Sequence, residues 1–137
     1  MIKRVHHVAI AVTNIDEALK LYENLFGVKV SKIEAVPEQG VKAAMITMGD
    51  GGEIEFLEPI DPNCGVAKFL ENKGEGIHHI CLEVDDIDKT LSSLAEKGCQ
   101  LIDKKSRKGL AGQIAFLHPK STEGVLIELA QTTGKSY

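Results

Sequence analysis

The sequence predicts an α+β fold in which two paired β-α-β-β-β modules form one curved, cupped mixed sheet. Three observations carry that prediction. First, the segment Val5 to Leu19, VHHVAIAVTNIDEAL, recurs 72 residues later as Ile77 to Leu91, IHHICLEVDDIDKTL. The two copies are identical at His6/His78, His7/His79, Val12/Val84, Ile15/Ile87, Asp16/Asp88 and Leu19/Leu91, and a duplicated module is the simplest account. Second, each copy runs into a stretch of helical periodicity and then into short strand-like segments set apart by turn formers. Third, neither half has enough apolar surface for a core of its own, so pairing the halves is what buries their inner faces. The 137 residues therefore read as one domain, 1–137, with repeats over 1–62 and 77–131 joined by a short helical link at 63–76.

Each element has a local reason. Residues 5–12 are apolar and β-branched throughout, as in a strand buried on both faces. Asn14 can cap a helix with Glu17 completing a capping box, Ile15, Ala18, Leu19, Tyr22 and Leu25/Phe26 follow at helical spacing, and Gly27 suits the left-handed stop. Strands are expected at Val28–Ala35, Val41–Met48 and Glu53–Leu57, with Pro37/Gly40 and Gly49-Asp50-Gly51-Gly52 as turns. Asp61-Pro62-Asn63 introduces the linking helix Val66–Asn72, which Lys73-Gly74-Glu75-Gly76 ends. The second module repeats the order: strand Ile77–Val84, a helix from Ile87 to Lys97 capped by Asp85 or Asp86, then strands at Gln100–Asp103, Gln113–Leu117 and Val125–Ala130. The tail Thr132–Tyr137 reads as loose.

Composition narrows the function. A formal charge of −4 leaves no electrostatic footprint for nucleic acid. The local run Lys104, Lys105, Arg107, Lys108 is more often a solvated loop than a phosphate site, although it can meet phosphates on a small ligand. Cys64, Cys81 and Cys99 are odd in number and lack CxxC spacing, which suits reduced thiols and a cytoplasmic location. The start MIKRVHHV lacks a signal-peptide apolar run, and no apolar stretch is long enough for a bilayer span. A chain this long needs no metal merely to hold a core, so a bound metal would serve chemistry.

The last strand of each half carries a carboxylate. GGEIEFLEP and EGVLIELAQ set Glu55 against Glu128, an offset of 73 that is one residue from the histidine offset. If the first and last strands of a module are neighbours, one His and one Glu from each half reach the concave side. Alternation shows only that the two histidines of each HH pair face oppositely, Glu53 shares a face with Glu55, and Glu58 is close by. Glu128 stands between Ile127 and Leu129, where an unpaired charge would cost several kcal/mol, so a cation or hydrogen-bond partner is required there. Cys81, on the face of His79, reads as a small core residue before a soft ligand. Two imidazoles and two carboxylates suit a borderline divalent ion such as Co²⁺, Mn²⁺, Ni²⁺ or Zn²⁺.

The duplicated pattern with paired His and Glu resembles the vicinal oxygen chelate superfamily. Within it, HHVAIAV, PEQGV at 37–41, KFLENKGEGIHHICLEVDDID at 68–88 and IAFLHPKSTEGVLIELAQ at 114–131 resemble the methylmalonyl-CoA epimerases over nearly the whole chain. The resemblance implies His7, His79, Glu128 and Glu55 as metal ligands, a CoA thioester substrate, a homodimer, and proton transfer at C2 through an enolate with Glu128 as base. It also implies that the stretch Lys104–Gly112 and Lys120/Ser121 are candidates to contact CoA. Some family members carry an acidic residue three positions after the Gly of PEQG; that position is Ala43 here. The second proton carrier is then Glu55, Lys42, Gln39 or a water, unless one carboxylate swings between faces. A lactoylglutathione lyase, an iron dioxygenase and a metal-free drug binder of the bleomycin-resistance type are the rival readings. Glu rather than Gln at position 55 leans toward the lyase. The presence of only Arg4 and Arg107, too few for an arginine-rich glutathione site, leans away from it.

Overall fold

A computed structural model describes residues 1–49, 51–110 and 112–132. Its elements are β1 (Ile2–Ala11), α1 (Ile15–Phe26), β2 (Glu34–Val36), β3 (Val41–Thr47), β4 (Glu53–Pro59), α2 (Gly65–Lys73), β5 (Gly76–Val84), α3 (Ile87–Glu96), β6 (Arg107–Gly109), β7 (Gly112–Leu117) and β8 (Ile127–Gln131), with a 3-10 turn at Pro119–Ser121. The expected β-α-β-β-β order is present twice, with α2 between. The chain divides into two compact units, one of His7–His78 and one of residues 1–6 together with those from His79 onward. Strand β1 passes from the second unit into the first at the HH pair.

In the His7–His78 unit, β1 lies parallel to β4, β4 antiparallel to β3, and β3 antiparallel to β2. One face packs on α1: Ile15, Leu19, Ala44, Ile46 and Phe56 are buried together, and Tyr22 meets the Phe56 ring edge-on at 4.8 Å. The other face holds Ala9, Ala11, Val41, Ala43 and Leu57 against Val66, Phe69 and Leu70 of α2. Helix α1 starts where expected, with the Asn14 side chain accepting the Glu17 N–H at 3.1 Å, and Gly27 closes it at φ +64°. The start of α2 differs from expectation, since Cys64 is its cap and its Sγ accepts from Ala67 N.

The second unit repeats the scheme. Strand β5 is parallel to β8, and β7 is antiparallel to both β8 and β6. Val84, Ile87, Leu91, Ala115, Leu117 and Leu129 bury one face beneath α3. Of the two offered caps it is Asp86 that accepts from Lys89 N, at 3.1 Å.

Two expected strands are corrected. Over 28–35 only β2 forms, and Val30 contributes a single bridge to Ile46. The reason is at Ser31: its hydroxyl accepts the Met45 N–H at 2.7 Å, so a side chain takes the place of a ladder carbonyl. Over 100–103 there is likewise only one bridge, Leu101 to Leu117. There Asp103 Oδ2 accepts Phe116 N at 2.8 Å, the same substitution in the second repeat. The strand missing from Gln100–Asp103 forms instead as β6, inside the basic run read as a loop. Residues 133–137 of the expected loose tail lie outside the described residues.

Candidate metal centre

Both candidate carboxylates are aimed by strand alternation. In β4, Ile54 and Phe56 pack toward α1, so Glu55 projects from the opposite face. In β8, Ile127 and Leu129 pack toward α3, and Glu128 projects away from them. Parallel pairing then supplies the histidines. Glu55 stands opposite Ala9, two residues after His7, and Glu128 stands opposite Cys81, two residues after His79. The two halves therefore use one register, and the 73-residue carboxylate offset is absorbed between the strands.

The result is two equivalent contacts. His7 Nε2 lies 3.5 Å from Glu55 Oε1, and His79 Nε2 lies 3.1 Å from Glu128 Oε1. All four residues are buried, at 3% to 6% relative exposure. A buried imidazole facing a buried carboxylate through its outer nitrogen is a donor set that fits a divalent ion, since both groups offer lone pairs to the same side. In the second unit the His79 ring is further walled by Phe116, edge-on at 5.5 Å and 87°.

The alternatives left open by the sequence separate here. His78 turns to Phe69, ring to ring at 5.1 Å. Glu58 faces α1, where it accepts Ile15 N at 2.8 Å and pairs with Lys42 at 3.2 Å. Lys42 thus belongs to the face opposite Glu55, and as a proton carrier beside Glu55 it is ruled out by strand alternation. Ala43 is on the Glu55 face, buried in the α2 cluster. Two features escaped the sequence reading. One is Glu38, an exposed carboxylate in the Pro37–Gly40 turn. That turn is locked: Gly40 O accepts both Ile60 N and Asp61 N, at 2.7 and 3.0 Å, and a Cβ on Gly40 would lie 2.9 Å from Asp61 Cβ. The other is the buried carboxylate Glu83. Burial pushes it up, but hydrogen bonds from Arg4 at 2.8 Å and Thr132 at 3.1 Å, with the charges of Arg4 and Lys3, hold it below its ordinary 4.5.

Residues 6–117 match the model of the glyoxalase/bleomycin resistance protein/dioxygenase superfamily. Human mitochondrial methylmalonyl-CoA epimerase is 38% identical over 130 residues, 93% of this chain and 73% of that protein. The ethylmalonyl-CoA/methylmalonyl-CoA epimerase of Cereibacter sphaeroides is 40% identical over 134 residues, 96% of this chain and 99% of that one. The chain belongs to the methylmalonyl-CoA epimerase family. A solved methylmalonyl-CoA epimerase in complex with methylmalonyl-CoA and NH4+ shares the fold with TM-score 0.90 at 34% identity, covering 98% of this chain and 97% of the other. Membership in this epimerase family makes the chain an enzyme of the vicinal oxygen chelate fold, with the duplicated α+β architecture expected from the repeat. Among the described residues no helix is long and apolar enough to cross a membrane.

Proposed function

We propose that this chain interconverts the C2 epimers of methylmalonyl-CoA, and that His7, Glu55, His79 and Glu128 together hold one divalent ion, Co²⁺ first. The observation that carries the reading is the pair of buried His–Glu contacts in equivalent register, one in each half of an epimerase-family chain. An ion held there supplies positive charge where the thioester enolate becomes negative, worth several kcal/mol of barrier.

The C2 hydrogen of the substrate is made acidic by the thioester alone, since the neighbouring carboxylate is already anionic, so its removal needs a positioned base together with positive charge at the enolate oxygen. Glu128 takes this proton in our reading. It is a buried carboxylate set in apolar strand, with Ile127 and Leu129 beside it, and it faces His79 at 3.1 Å. Inversion requires a proton returned on the opposite face. Glu55, its counterpart in the repeat, and Glu38 in the clamped turn are the carboxylates available for that step. The substrate is an acyl-CoA, and a homodimer in the cytoplasm is the state we assign to the enzyme by analogy with its family.

Glu rather than Gln at position 55 is the one feature favouring a lactoylglutathione lyase. The number of arginines opposes it: with Arg4 bound to buried Glu83, Arg107 alone is left, too little for an arginine-rich glutathione site. The test is incubation of the purified protein with methylmalonyl-CoA in D₂O, before and after chelation. Deuterium at C2 that disappears on chelation and returns with Co²⁺ is expected. Turnover of a glutathione hemithioacetal with no C2 exchange would replace this reading by the lyase.

A further inference from the structure

We propose that Arg107 is a substrate-anchoring residue that pairs with a phosphate of the CoA moiety, an assignment that rests on the acyl-CoA reading above. Strand pairing sets the side. Arg107 is opposite Ile114, Ile114 shares its face with Phe116, and Phe116 is opposite Glu128, so the guanidinium lies on the face that carries the His79–Glu128 pair. Contacts confirm the direction, because the guanidinium carbon is 5.7 Å from the centre of the Phe116 ring, and that ring meets His79 edge-on.

The group is held in place. Asp103 accepts from Arg107 Nε with one oxygen, at 3.3 Å, and from Phe116 N with the other, at 2.8 Å. Engagement through Nε leaves the terminal nitrogens of the fork for a ligand, and among the described residues Arg107 has no second carboxylate partner. Its side chain is 44% exposed, enough to be reached from solvent. The hairpin beneath it is fixed by Gly112 at φ +125°, where a Cβ would lie 2.4 Å from Gln131 O.

Phosphate is favoured over carboxylate by position and charge. Two strand spacings, about 10 Å, separate the β6 backbone from that of β8, and the Arg107 side chain is 44% exposed, which suits an anion on the solvent side of the substrate rather than the carboxylate next to the reacting carbon. The substrate's other anions are its phosphates. Exposed Lys104, Lys105 and Lys108 flank Arg107 in sequence in a chain of net charge −4, a local reversal of sign that suits a multiply charged group. A guanidinium fork matches phosphate oxygens better than an ammonium does.

The test compares methylmalonyl-CoA with methylmalonyl-pantetheine, which lacks phosphate, using metal-loaded full-length protein. Arg107→Ala is expected to raise KM for the CoA substrate about tenfold or more, the loss typical of a charge-assisted contact, with kcat changed less than about threefold. The same variant should match wild type on the pantetheine thioester. The Kd of CoA itself, measured by calorimetry, should weaken in parallel, and Arg107→Lys should recover part of the loss. An equal KM rise on both thioesters would move the contact to the acyl or pantetheine part and overturn the assignment. A fall in kcat with weakened Co²⁺ binding would instead make Arg107 a brace for Phe116 and His79, and unchanged KM on both would remove it from recognition. Wild-type exchange at C2, run alongside, shows separately whether the acyl-CoA reading stands.

Discussion

Glu128 is the residue whose loss is most informative, because two substitutions divide its two tasks. The side chain is 9% exposed and its Oε1 sits 3.1 Å from His79 Nε2. Glu128→Ala removes a charge-assisted contact worth about 1.5–3 kcal/mol, which at 1.4 kcal/mol per decade weakens Co²⁺ by roughly 10- to 100-fold. It also removes the base. Glu128→Gln keeps an oxygen toward the ion and toward His79 but cannot accept the C2 proton. Its metal affinity should stay within about tenfold of wild type while C2 exchange falls by about 10²–10⁴, the usual contribution of a positioned base. Isothermal titration with Co²⁺ and NMR-monitored exchange in D₂O read the two quantities separately. Exchange within about threefold of wild type in both variants would refute the assignment of Glu128 as base.

Further expectations follow from the same geometry. Glu55→Gln should hold Co²⁺ within about tenfold because the amide oxygen can replace a carboxylate oxygen, whereas Glu55→Ala should lose more; equal losses in dialysis would deny position 55 a ligand role. Comparing epimerisation with C2 exchange in Glu55→Gln and Glu38→Gln locates the second proton carrier, since its removal should slow inversion more than exchange. The Glu83 carboxyl titrates below its ordinary 4.5, so the folded state gains stability from it above that pH and loses it as pH falls through the lowered value. Glu83→Gln should therefore flatten the stability profile below about pH 4.5, and an unchanged profile from urea melts would deny the Arg4 contact that role. Gly112→Ala should destabilise by about 2 kcal/mol or more, because positive φ and the clash with Gln131 O coincide there; a thermal midpoint equal to wild type would contradict the hairpin geometry.

The repeat made most of the fold readable. Matching residues at offset 72 fixed the order of elements, and helix caps at Asn14 and Gly27 were visible as residue types with known backbone roles. What failed were the strands after each helix. Val28–Ala35 and Gln100–Asp103 have strand composition, but the Ser31 and Asp103 side chains accept N–H groups of the neighbouring strand in place of backbone carbonyls and break the ladder. Propensity carries no information about a side chain that replaces a carbonyl. The reverse error at β6 has the same origin: Arg107-Lys108-Gly109 lacks β-formers and is a strand only because Ile114 and Gln113 pair with it.

The candidate site was legible in part for similar reasons. Alternation isolated Glu128 between two apolar residues, and the packing of Ile127 and Leu129 on α3 gives that pattern its meaning. Among Glu53, Glu55 and Glu58 the sequence offered no choice. The structure separates them through partners: Glu58 serves the start of α1 and Lys42, while Glu55 meets His7. The chain of contacts from Asp103 to Arg107, Phe116 and His79 was invisible, since it joins separate segments whose pairing no local pattern encodes.

The central claim is that the two halves serve a single ion, and metal stoichiometry in three proteins tests it most directly. Equilibrium dialysis against Co²⁺ should give one ion per chain for the wild type, and His7→Ala and His79→Ala should each weaken that same ion by more than about tenfold. Full-strength binding of one ion in either single variant would show that each His–Glu pair acts alone, and the account would lose its shared centre.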